Sequence, residues 1–312
     1  MTVTATSSGT PTDIDLLVVL GPTASGKTRL GVELARRLNG EVISADSRQV
    51  YRGMDIGSGK DLTEYGEVPY HLIDIVDPAY EFNVFEFQCR FLEAFDHIRQ
   101  RGRLPVMVGG TGMYLDAVLR GYLLVKVPEN PVLRRELATF PSEGLAERLR
   151  EINPRLHNTT DLLDRERLVR AIEIATCERD HPPEPLPEIR PLILGIRWER
   201  SALRQRITGR LRERLDHGLI DEVARLHAEG IPWEKLEFYG LEYRFVAKHL
   251  QGELNRNDLF QKLNSAIHDF AKRQDTWFRR MERNGTVIHW LDGAGEPLAE
   301  AMEIVSRERH ES

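Results

Sequence analysis

A phosphate-binding loop is predicted near the start of the chain, where two glycines, a lysine and a threonine stand at a fixed spacing. Its residues are Gly21, Pro22, Thr23, Ala24, Ser25, Gly26, Lys27 and Thr28. In such a loop backbone N–H groups wrap a phosphate, Lys27 neutralises its oxygens and the Thr28 hydroxyl ligates Mg²⁺. Kinases, ATPases and diphosphate-using transferases share this loop, so the loop alone leaves the substrate open.

Asp46 is a second residue with a possible chemical role, because it closely follows the short apolar segment Glu41–Ser44. Open α/β sheets bind their ligands at the carboxyl ends of parallel strands. Beside a bound phosphate, a carboxylate can position a metal ion or act as a base. Position alone equally allows Asp46 to cap a helix, since aspartate is a favoured N-cap residue.

Two weaker signals accompany these residues. The turn at 109–112 (GGTG) ends another apolar segment and offers backbone amides and the Thr111 hydroxyl to a phosphate, although glycine turns are common. Arg206 and Arg210 lie four residues apart in a predicted helix, so they share a face and can reach a diphosphate together. In a chain this rich in arginine, two surface arginines explain the same spacing.

A basic and aromatic cluster lies between residues 270 and 283, which include five basic and two acidic residues. Its members include Lys272, Arg273, Gln274, Trp277 and Arg279. Interleaved basic and aromatic side chains suit contact with nucleic-acid phosphates and stacking on bases. An amphipathic helix with a solvated basic face has the same pattern, so the cluster alone leaves both interpretations open.

The segments that must position these residues alternate between short apolar runs and helical periodicity, as in a parallel α/β sheet. Strands are predicted at 15–20, 41–44, 71–76, 104–108, 191–196 and 287–290, and helices at 27–38, at 83–101 and over most of 201–283. The expected fold class is α/β, with a P-loop-type parallel sheet core, a helical insertion and a largely helical C-terminal half.

The same patterns predict the domain organisation. Residues 1–13 are rich in threonine and serine and are expected to form a disordered tail. Residues 14–127 and 186–312 are expected to form the P-loop core with its C-terminal helices. Residues 128–185 lack strand patterns and are expected to form the helical insertion.

The composition of the 312 residues excludes several classes of protein. With 29% charged and 41% hydrophobic residues, the chain is globular rather than intrinsically disordered. No apolar run reaches the roughly 18 residues of a membrane-spanning helix. Two cysteines form neither a disulfide framework nor a zinc cluster, which favours the reducing cytoplasm, and no sequence pattern indicates a dimer, so a monomer is expected. The net charge of −6 does not exclude a nucleic-acid partner, because local clusters of positive charge decide that question.

Taken together, the segments resemble the tRNA dimethylallyltransferase family, in the family's order and over most of the chain. The matching segments are GPTASGKT at 21–28, DSRQVYRGMDIG at 46–57, HLIDIVDP at 71–78, VGGTGMYL at 108–115, DRERLVRAIEI at 164–174, QRITGR at 205–210, AKRQDTWFRR at 271–280 and IHWLD at 288–292. This ordered set is far more specific than any one motif. The resemblance implies Mg²⁺-dependent transfer of a dimethylallyl group from its diphosphate to N6 of adenosine 37, beside the anticodon of tRNA.

The resemblance also implies roles for individual residues. Asp46 is the base that receives the N6 proton, and Thr111 hydrogen-bonds the bridging oxygen of the diphosphate. The phosphate loop and Arg210 bind the leaving diphosphate, with Mg²⁺ beside Thr28. Contacts with the tRNA anticodon stem-loop are implied for Asp46, Ser47, Arg48, Gln49, Arg134, Arg167, Arg170, Lys272, Arg273, Gln274, Trp277 and Arg279.

The chain departs from the family pattern in two places. It has FYGLEYR at 238–244 where the family commonly has Gly-Tyr-Arg or Gly-Tyr-Lys, and Ser-Gly-Lys at 58–60 where Thr-Ala-Lys is usual. Without the zinc finger of eukaryotic relatives, it looks like the bacterial type.

Three other functions share parts of these signals. A prenyltransferase acting on free AMP or ADP shares the core, although the insertion and the 271–280 cluster argue against it. A small-molecule kinase or NTPase is supported by the phosphate loop alone. A non-catalytic RNA-binding protein would not need Asp46, Thr111 and Arg210 together.

Overall fold

The computed structural model describes residues 14–122, 124, 126–152, 164–180 and 186–310. The chain divides into two compact units, one of Met1–Arg120 with Glu188–Ser312 and one of Gly121–Pro187. The tail expected at 1–13 lies outside the described residues. Within the described ranges, none of the helices has the length and apolar character needed to cross a membrane.

A six-stranded, wholly parallel sheet forms the centre of the larger unit. Its strands are β1 (Leu16–Leu20), β2 (Gly40–Ala45), β3 (Tyr70–His71), β4 (Leu104–Gly109), β5 (Pro191–Arg197) and β6 (His289–Asp292). They lie in the order β3-β2-β4-β1-β5-β6, and every neighbouring pair is parallel. Residues of β1 and β2 are buried throughout, which is why these strands have continuous apolar sequences rather than alternating ones. The predicted α/β fold class is confirmed.

Helices cover both faces of this sheet. On one face, α1 (Lys27–Arg37) and the C-terminal α12 (Pro297–His310) pack against the strands and share their core. The other face is covered by α2 (Val84–Gln100), α3 (Gly112–Leu119) and the end of α11 (Arg256–Arg283). Because α11 reaches back to the sheet, its last turns lie beside the strand ends.

A second hydrophobic core joins the C-terminal helices to the loop that follows β2. The helices are α7 (Arg200–Asp216), α8 (Leu219–Ala228), α9 (Trp233–Phe238), α10 (Leu241–Leu250) and α11. Val50, Tyr51 and Met54 from the loop are buried in this core with Leu211 and Tyr243. The loop therefore packs as part of the helical half and is fixed relative to α7 and α10.

The strand predicted at 71–76 is wrong beyond its first residue. β3 ends at His71, and both Leu72 (φ 62°) and Asp74 (φ 55°) have left-handed backbone conformations that a strand excludes. The turn brings Asp74 into an ion pair with the buried Lys60. Val76 then forms an isolated parallel bridge with Tyr51. The apolar side chains of this segment fill the core from a loop.

Among its described residues, the smaller unit contains three helices with their own core. These are α4 (Pro131–Leu137), α5 (Ser142–Ile152) and α6 (Arg165–Asp180). Leu137, Leu145, Leu149, Leu168 and Ile172 are buried together between them. The described residues of this unit hold no strand, in keeping with the helical insertion expected from the sequence.

The topology brings the chemically interesting loops to one edge of the sheet. In a parallel sheet all strands end at the same edge, so the loops after β1, β2 and β4 meet there. These loops carry the predicted phosphate loop, Asp46 and Thr111.

Candidate active site

The phosphate loop lies between β1 and the N-terminus of α1. Gly26 is the N-cap of α1 and has a φ of 91°, a left-handed conformation that glycine adopts without strain. The loop therefore turns tightly enough to aim its backbone amides at one point beside the helix N-terminus. Lys27 and Thr28 are the first two residues of α1, and both are half-buried.

Two side chains from outside this loop, those of Trp198 and Arg206, help to hold it in shape. Trp198 donates its indole N–H to the Ser25 carbonyl at 2.9 Å, and Arg206 donates Nε to the Ala24 carbonyl at 2.8 Å. The guanidinium of Arg206 also lies over the Trp198 ring, 4.2 Å from its centroid. Arg206, which its spacing suggested as a diphosphate ligand, thus has a supporting role in this structure.

Gln274 of α11 ties the phosphate loop to the glycine turn after β4. Its Oε1 accepts the Thr23 amide proton at 2.8 Å, and its Nε2 donates to the Gly110 carbonyl at 2.9 Å. The side chain is buried, and both its amide oxygen and its amide nitrogen are hydrogen-bonded to backbone groups. Sequence reasoning expected Gln274 to contact tRNA, and the structure places it inside the site as a brace.

Asp46 and Thr111 are brought together by a direct backbone contact. The Ser47 amide donates to Oγ1 of Thr111 at 3.2 Å, and the Arg48 amide donates to Oδ1 of Asp46 at 2.8 Å. The carboxylate is therefore held by its own turn, and the Thr111 hydroxyl still has its proton to donate. Gln49, in contrast, is buried with its amide bonded to Ser44 and Gly59.

One cavity of about 520 Å³ unites these groups. Lys27, Thr28, Asp46, Thr111 and Arg210 all line it. A neighbouring cleft of about 950 Å³ is lined by residues of α7 and of the 55–64 loop. The cavity and the cleft share four lining side chains, those of Lys27, Thr28, Arg210 and Arg214. The cavity and the cleft therefore meet at Lys27 and Thr28 of the phosphate loop.

Exposed aromatic and basic side chains line a part of the cavity that the cleft does not share. Phe238 is 63% exposed and Phe270 is 39% exposed, although both are large and apolar. The guanidinium of Arg48 lies 5.7 Å from the Phe238 ring centroid, and that of Arg273 lies 5.8 Å from the Phe270 centroid. Flat apolar rings beside cations form a surface on which a nucleobase can stack.

Positive charge is concentrated where the cavity meets the cleft, because Lys27, Arg210 and Arg214 line both. Burial lowers the pKa of Lys27 to about 8, nearby Asp46 opposes this shift, and the guanidinium groups of Arg210 and Arg214 reinforce it. Arg210 is bonded to Asp61 and, at 3.5 Å, to the Gly59 carbonyl. A polyanion placed here would relieve the repulsion among the three cations.

The loop that faces Arg210 is organised by a carboxylate that sequence reasoning missed. Glu222 of α8 is buried and accepts backbone N–H groups from Asp55, Ile56 and Gly57 at 2.7–3.0 Å, together with the Tyr243 hydroxyl at 2.8 Å. Nothing in the sequence indicates this role, because a single buried glutamate on a helix cannot be distinguished by its sequence from an exposed one.

The basic residues predicted to contact tRNA on α11 differ in exposure. Lys272, Arg273 and Arg279 are exposed, so their charges face solvent. Trp277 is half-buried and donates its indole N–H to Asp116 Oδ2 at 2.9 Å. The predicted cluster thus divides into an exposed basic face and inward-facing members that support the site.

In the smaller unit, two of the three arginines predicted to contact tRNA bond to the same buried carboxylate. Glu173 accepts two hydrogen bonds from Arg134, at 2.8 and 3.0 Å, and one from Arg170 at 3.0 Å. Arg167 is 60% exposed and lies 4.0 Å from Asp164. Contact of these arginines with tRNA stays a prediction.

The donor set at Thr28 suits a magnesium ion that is shared with a phosphorylated ligand. Among the residues that the structure describes, no three His, Cys, Asp or Glu side chains are grouped to hold a metal ion. Mg²⁺ is commonly bound by one or two protein oxygens together with substrate phosphates. The Thr28 hydroxyl and the Asp46 carboxylate are oxygens of this kind on one cavity.

Comparison with known proteins shows which families and relatives the chain is similar to. Residues 49–281 match the IPP transferase family, and residues 14–67 match the isopentenyl transferase family. The chain is 75% identical over 291 residues to tRNA dimethylallyltransferase 1 of Geotalea uraniireducens, covering 93% of this chain and 97% of the relative. It is 53% identical over 296 residues to tRNA dimethylallyltransferase 2 of Shewanella sediminis, covering 94% and 98%.

A solved structure gives the same result in three dimensions. The full-length tRNA isopentenylpyrophosphate transferase of Bacillus halodurans superposes with a TM-score of 0.71 at 34% sequence identity. The match covers 95% of this chain and 97% of that protein. Fold, site geometry and sequence thus agree, and the chain belongs to the IPP transferase family.

Proposed function

We propose that this chain transfers a dimethylallyl group from dimethylallyl diphosphate to N6 of adenosine 37 in tRNA and releases diphosphate. One observation carries the proposal. The phosphate loop, the Asp46 carboxylate, the Thr111 hydroxyl and the Arg210 guanidinium all line a single cavity. The tRNA dimethylallyltransferases to which the chain is similar supply the identity of the transferred group.

The diphosphate end of the donor is proposed to lie against the phosphate loop. Lys27 and Arg210 bind its oxygens, and the backbone amides at the start of α1 add further donors. Negative charge on the diphosphate grows as the C1–O bond breaks, and these fixed positive groups stabilise that charge. Thr111 donates its hydroxyl proton to the bridging oxygen, which becomes the leaving oxygen.

Asp46 is proposed to accept the proton from the acceptor amine. The N6 lone pair forms the new N–C1 bond, the C1–O electron pair leaves with diphosphate, and the N6 proton passes to the Asp46 carboxylate. Because an exocyclic adenine amine is a poor nucleophile, removing its proton as the bond forms assists the reaction. The hydrogen bond from the Arg48 amide fixes the carboxylate in place.

A magnesium ion fits this arrangement at Thr28, with its other ligands supplied by diphosphate oxygens and water. When bound, the ion stabilises negative charge on the leaving diphosphate. Thr28 would hold it through its hydroxyl, while Lys27 and Arg210 bind the remaining oxygens.

The acceptor is proposed to enter from the side lined by Phe238 and Phe270. A base stacked within an anticodon loop cannot reach an enclosed cavity unless it is flipped out. The two rings and their neighbouring arginines form a stacking surface for such a base. The donor is proposed to enter from the cleft, so that the two substrates meet beside Lys27 and Arg210, which line both the cavity and the cleft.

The tRNA itself is proposed to contact the turn after β2, the exposed face of α11 and the helical insertion. Ser47 and Arg48 flank the cavity, and Lys272, Arg273 and Arg279 present charge to solvent. These cations suit the phosphate backbone of an anticodon stem-loop.

We further propose that the chain acts as a monomer. We also propose that it acts in a reducing cytoplasm, in keeping with the free thiols of Cys89 and Cys177.

A transfer assay with competing acceptors tests the proposed function. Purified protein is incubated with Mg²⁺, labelled dimethylallyl diphosphate, unmodified tRNA with adenosines at positions 36 and 37, and AMP. Label on adenosine 37 is the expected result. Label on AMP would assign the chain to free-nucleotide prenyltransferases, and ATP turnover without prenyl transfer would assign it to kinases or NTPases.

A further inference from the structure

A third arginine continues the row that Arg206 and Arg210 form on α7. Arg214 lies one further turn along the helix, lines both the cavity and the cleft, and has only 13% of its side chain exposed. Its Nη1 donates to Oε1 of Glu242 at 3.2 Å. Neither the sequence motifs nor the proposed reaction uses this residue.

We propose that Arg214 is a second guanidinium ligand of the diphosphate group, and that Glu242 is the counter-ion of Arg214 when no diphosphate is bound. The inference rests on the proposed function, in which a prenyl diphosphate occupies the space beside Lys27 and Arg210. It adds a binding residue to that site, and it makes the Glu242 carboxylate a competitor of the diphosphate for the Arg214 guanidinium.

The close packing of the 57–60 loop shows that Arg214 is fixed beside Arg210. A Cβ atom built on Gly59 would lie 1.8 Å from Nη2 of Arg214 and 2.8 Å from Nη2 of Arg210. Both guanidinium groups therefore press against the same glycine backbone, and neither can turn away toward that loop. Two guanidinium groups side by side match the several oxygens of a diphosphate better than one.

The local charge balance also favours an anionic ligand at Arg214. Burial and the neighbouring Arg210 lower the pKa of its guanidinium, while burial raises the pKa of its partner, Glu242. The ion pair is thus poorly solvated, and a second cation lies beside it. The single carboxylate of Glu242 does not balance both Arg214 and the neighbouring Arg210, and a diphosphate would supply further negative charge.

The acid at position 242 fits this assignment. It stands in the segment where the chain departs from the family pattern, and the structure shows that it pairs with an arginine of another helix. A purely structural interpretation would make the Arg214–Glu242 pair a clamp between α7 and α10. The two interpretations predict different results when each partner is removed in turn.

The test compares Arg214→Gln, Glu242→Gln and a control, Arg212→Gln, for binding of inorganic diphosphate with Mg²⁺ by isothermal titration calorimetry. Arg212 lies between the two site arginines on α7 but is exposed, with its guanidinium 5.5 Å from the Phe260 ring centroid. We expect Arg214→Gln to weaken binding about 10- to 100-fold, since hydrogen bonds to charged groups are strong. Glu242→Gln should bind as tightly as the wild type or more tightly, because it removes a competing carboxylate, and Arg212→Gln should bind as the wild type does.

Equal losses of diphosphate binding in Arg214→Gln and Glu242→Gln would overturn the proposal, as would unchanged binding in Arg214→Gln. If thermal unfolding shows that Arg214→Gln is not folded, Arg214→Lys decides: a smaller loss of binding supports a fork-shaped contact, and wild-type binding refutes it. This assay uses no tRNA and no transfer. A failure of the proposed function would appear in the transfer assay, whereas a failure of this inference would appear only here.

Discussion

Arginines serve different purposes in the two units of the molecule. In the smaller unit, Arg134 and Arg170 both bond to the buried carboxylate of Glu173. Burial alone would raise the pKa of this glutamate, but hydrogen bonds from Arg134, the Asn130 amide and Arg170 lower it to about 2. In the larger unit, Lys27, Arg210 and Arg214 line one cavity together with the carboxylates of Asp46 and Glu242, and burial lowers the pKa of Lys27 to about 8.

The difference teaches how to separate structural charge from functional charge in an arginine-rich chain. A carboxylate whose pKa is strongly lowered is fully matched by cations, so it stabilises the fold. The pKa of Lys27 is lowered chiefly by burial and further by Arg210 and Arg214, so an anionic ligand placed beside it would offset the cost of holding its charge there. The spacing of arginines in the sequence cannot make this distinction, because it shows neither burial nor partners.

The largest effect is expected for Asp46, the carboxylate proposed to accept the N6 proton. Asp46→Asn should lower turnover by about 10²- to 10⁴-fold, since the amide cannot accept the N6 proton, while tRNA affinity stays near that of the wild type. Single-turnover transfer rates and a tRNA-binding isotherm measure the two quantities. Asp77→Asn, at a 75% exposed side chain, is the control and should change neither quantity. Unchanged turnover in Asp46→Asn would remove Asp46 from the role of base.

Next in size is the loss of the structural carboxylate in the smaller unit. Glu173→Gln should destabilise the helices α4 and α6 by about 1–3 kcal/mol, because it leaves guanidinium groups without their charged partner. Hydrogen exchange of these helices measures the effect. Glu136→Gln is the matched control, since Glu136 forms only an exposed pair with Arg148 and should matter little. Weaker diphosphate binding in Glu173→Gln would contradict the division between structural and functional charge.

Acid should remove the same stabilisation in the wild type. The pKa of Glu173 is lowered from its ordinary 4.5 to about 2, so the carboxylate stabilises the folded unit above pH 4.5. This contribution should be lost as the pH falls from about 4.5 toward 2. The difference in hydrogen exchange between wild type and Glu173→Gln should therefore shrink over that interval. A difference that stays constant would show that the charge of Glu173 is unimportant.

Smaller effects are expected on the exposed face of α11. Lys272→Gln should weaken tRNA binding a few-fold and reduce the dependence of log K on log salt by about one unit, as for a lost phosphate contact. Arg256→Gln, at the other end of the same helix and 65% exposed, is the control. Filter binding across a salt series measures both slopes. Equal slopes for wild type and Lys272→Gln would remove Lys272 from the interface.

Much of the fold could be predicted from the sequence, because buried parallel strands appear as continuous apolar runs. The runs at 15–20 and 104–108 match β1 and β4 within one residue at each end. The run at 71–76 misled for the same reason, since a buried loop needs apolar residues as much as a strand does. Only long-range contacts, such as the Lys60–Asp74 ion pair, reveal that this segment turns.

The site was predicted where a motif records local geometry, and missed where distant residues meet. The spacing of the phosphate loop fixes a turn before a helix, so Lys27 and Thr28 follow from the sequence. The roles of Glu222 and Gln274 depend on backbone amides more than 160 residues away. Arg214 repeats the four-residue spacing of Arg206 and Arg210, so the sequence indicates that it lies on the same face of the helix. The spacing does not indicate that its side chain is buried.

Proton uptake on diphosphate binding tests most directly the claim that the cations of the cavity are reserved for a diphosphate. Calorimetry with inorganic diphosphate and Mg²⁺ at pH 8.5, in two buffers of different ionisation enthalpy, compares wild type with Lys27→Arg. At this pH Lys27, with a pKa of about 8, is largely neutral and should regain its proton beside the anion, whereas arginine is charged throughout. We predict that the wild type takes up a larger fraction of a proton than Lys27→Arg does. An equal proton balance in the two proteins, or no binding by the wild type, would contradict this account of the site.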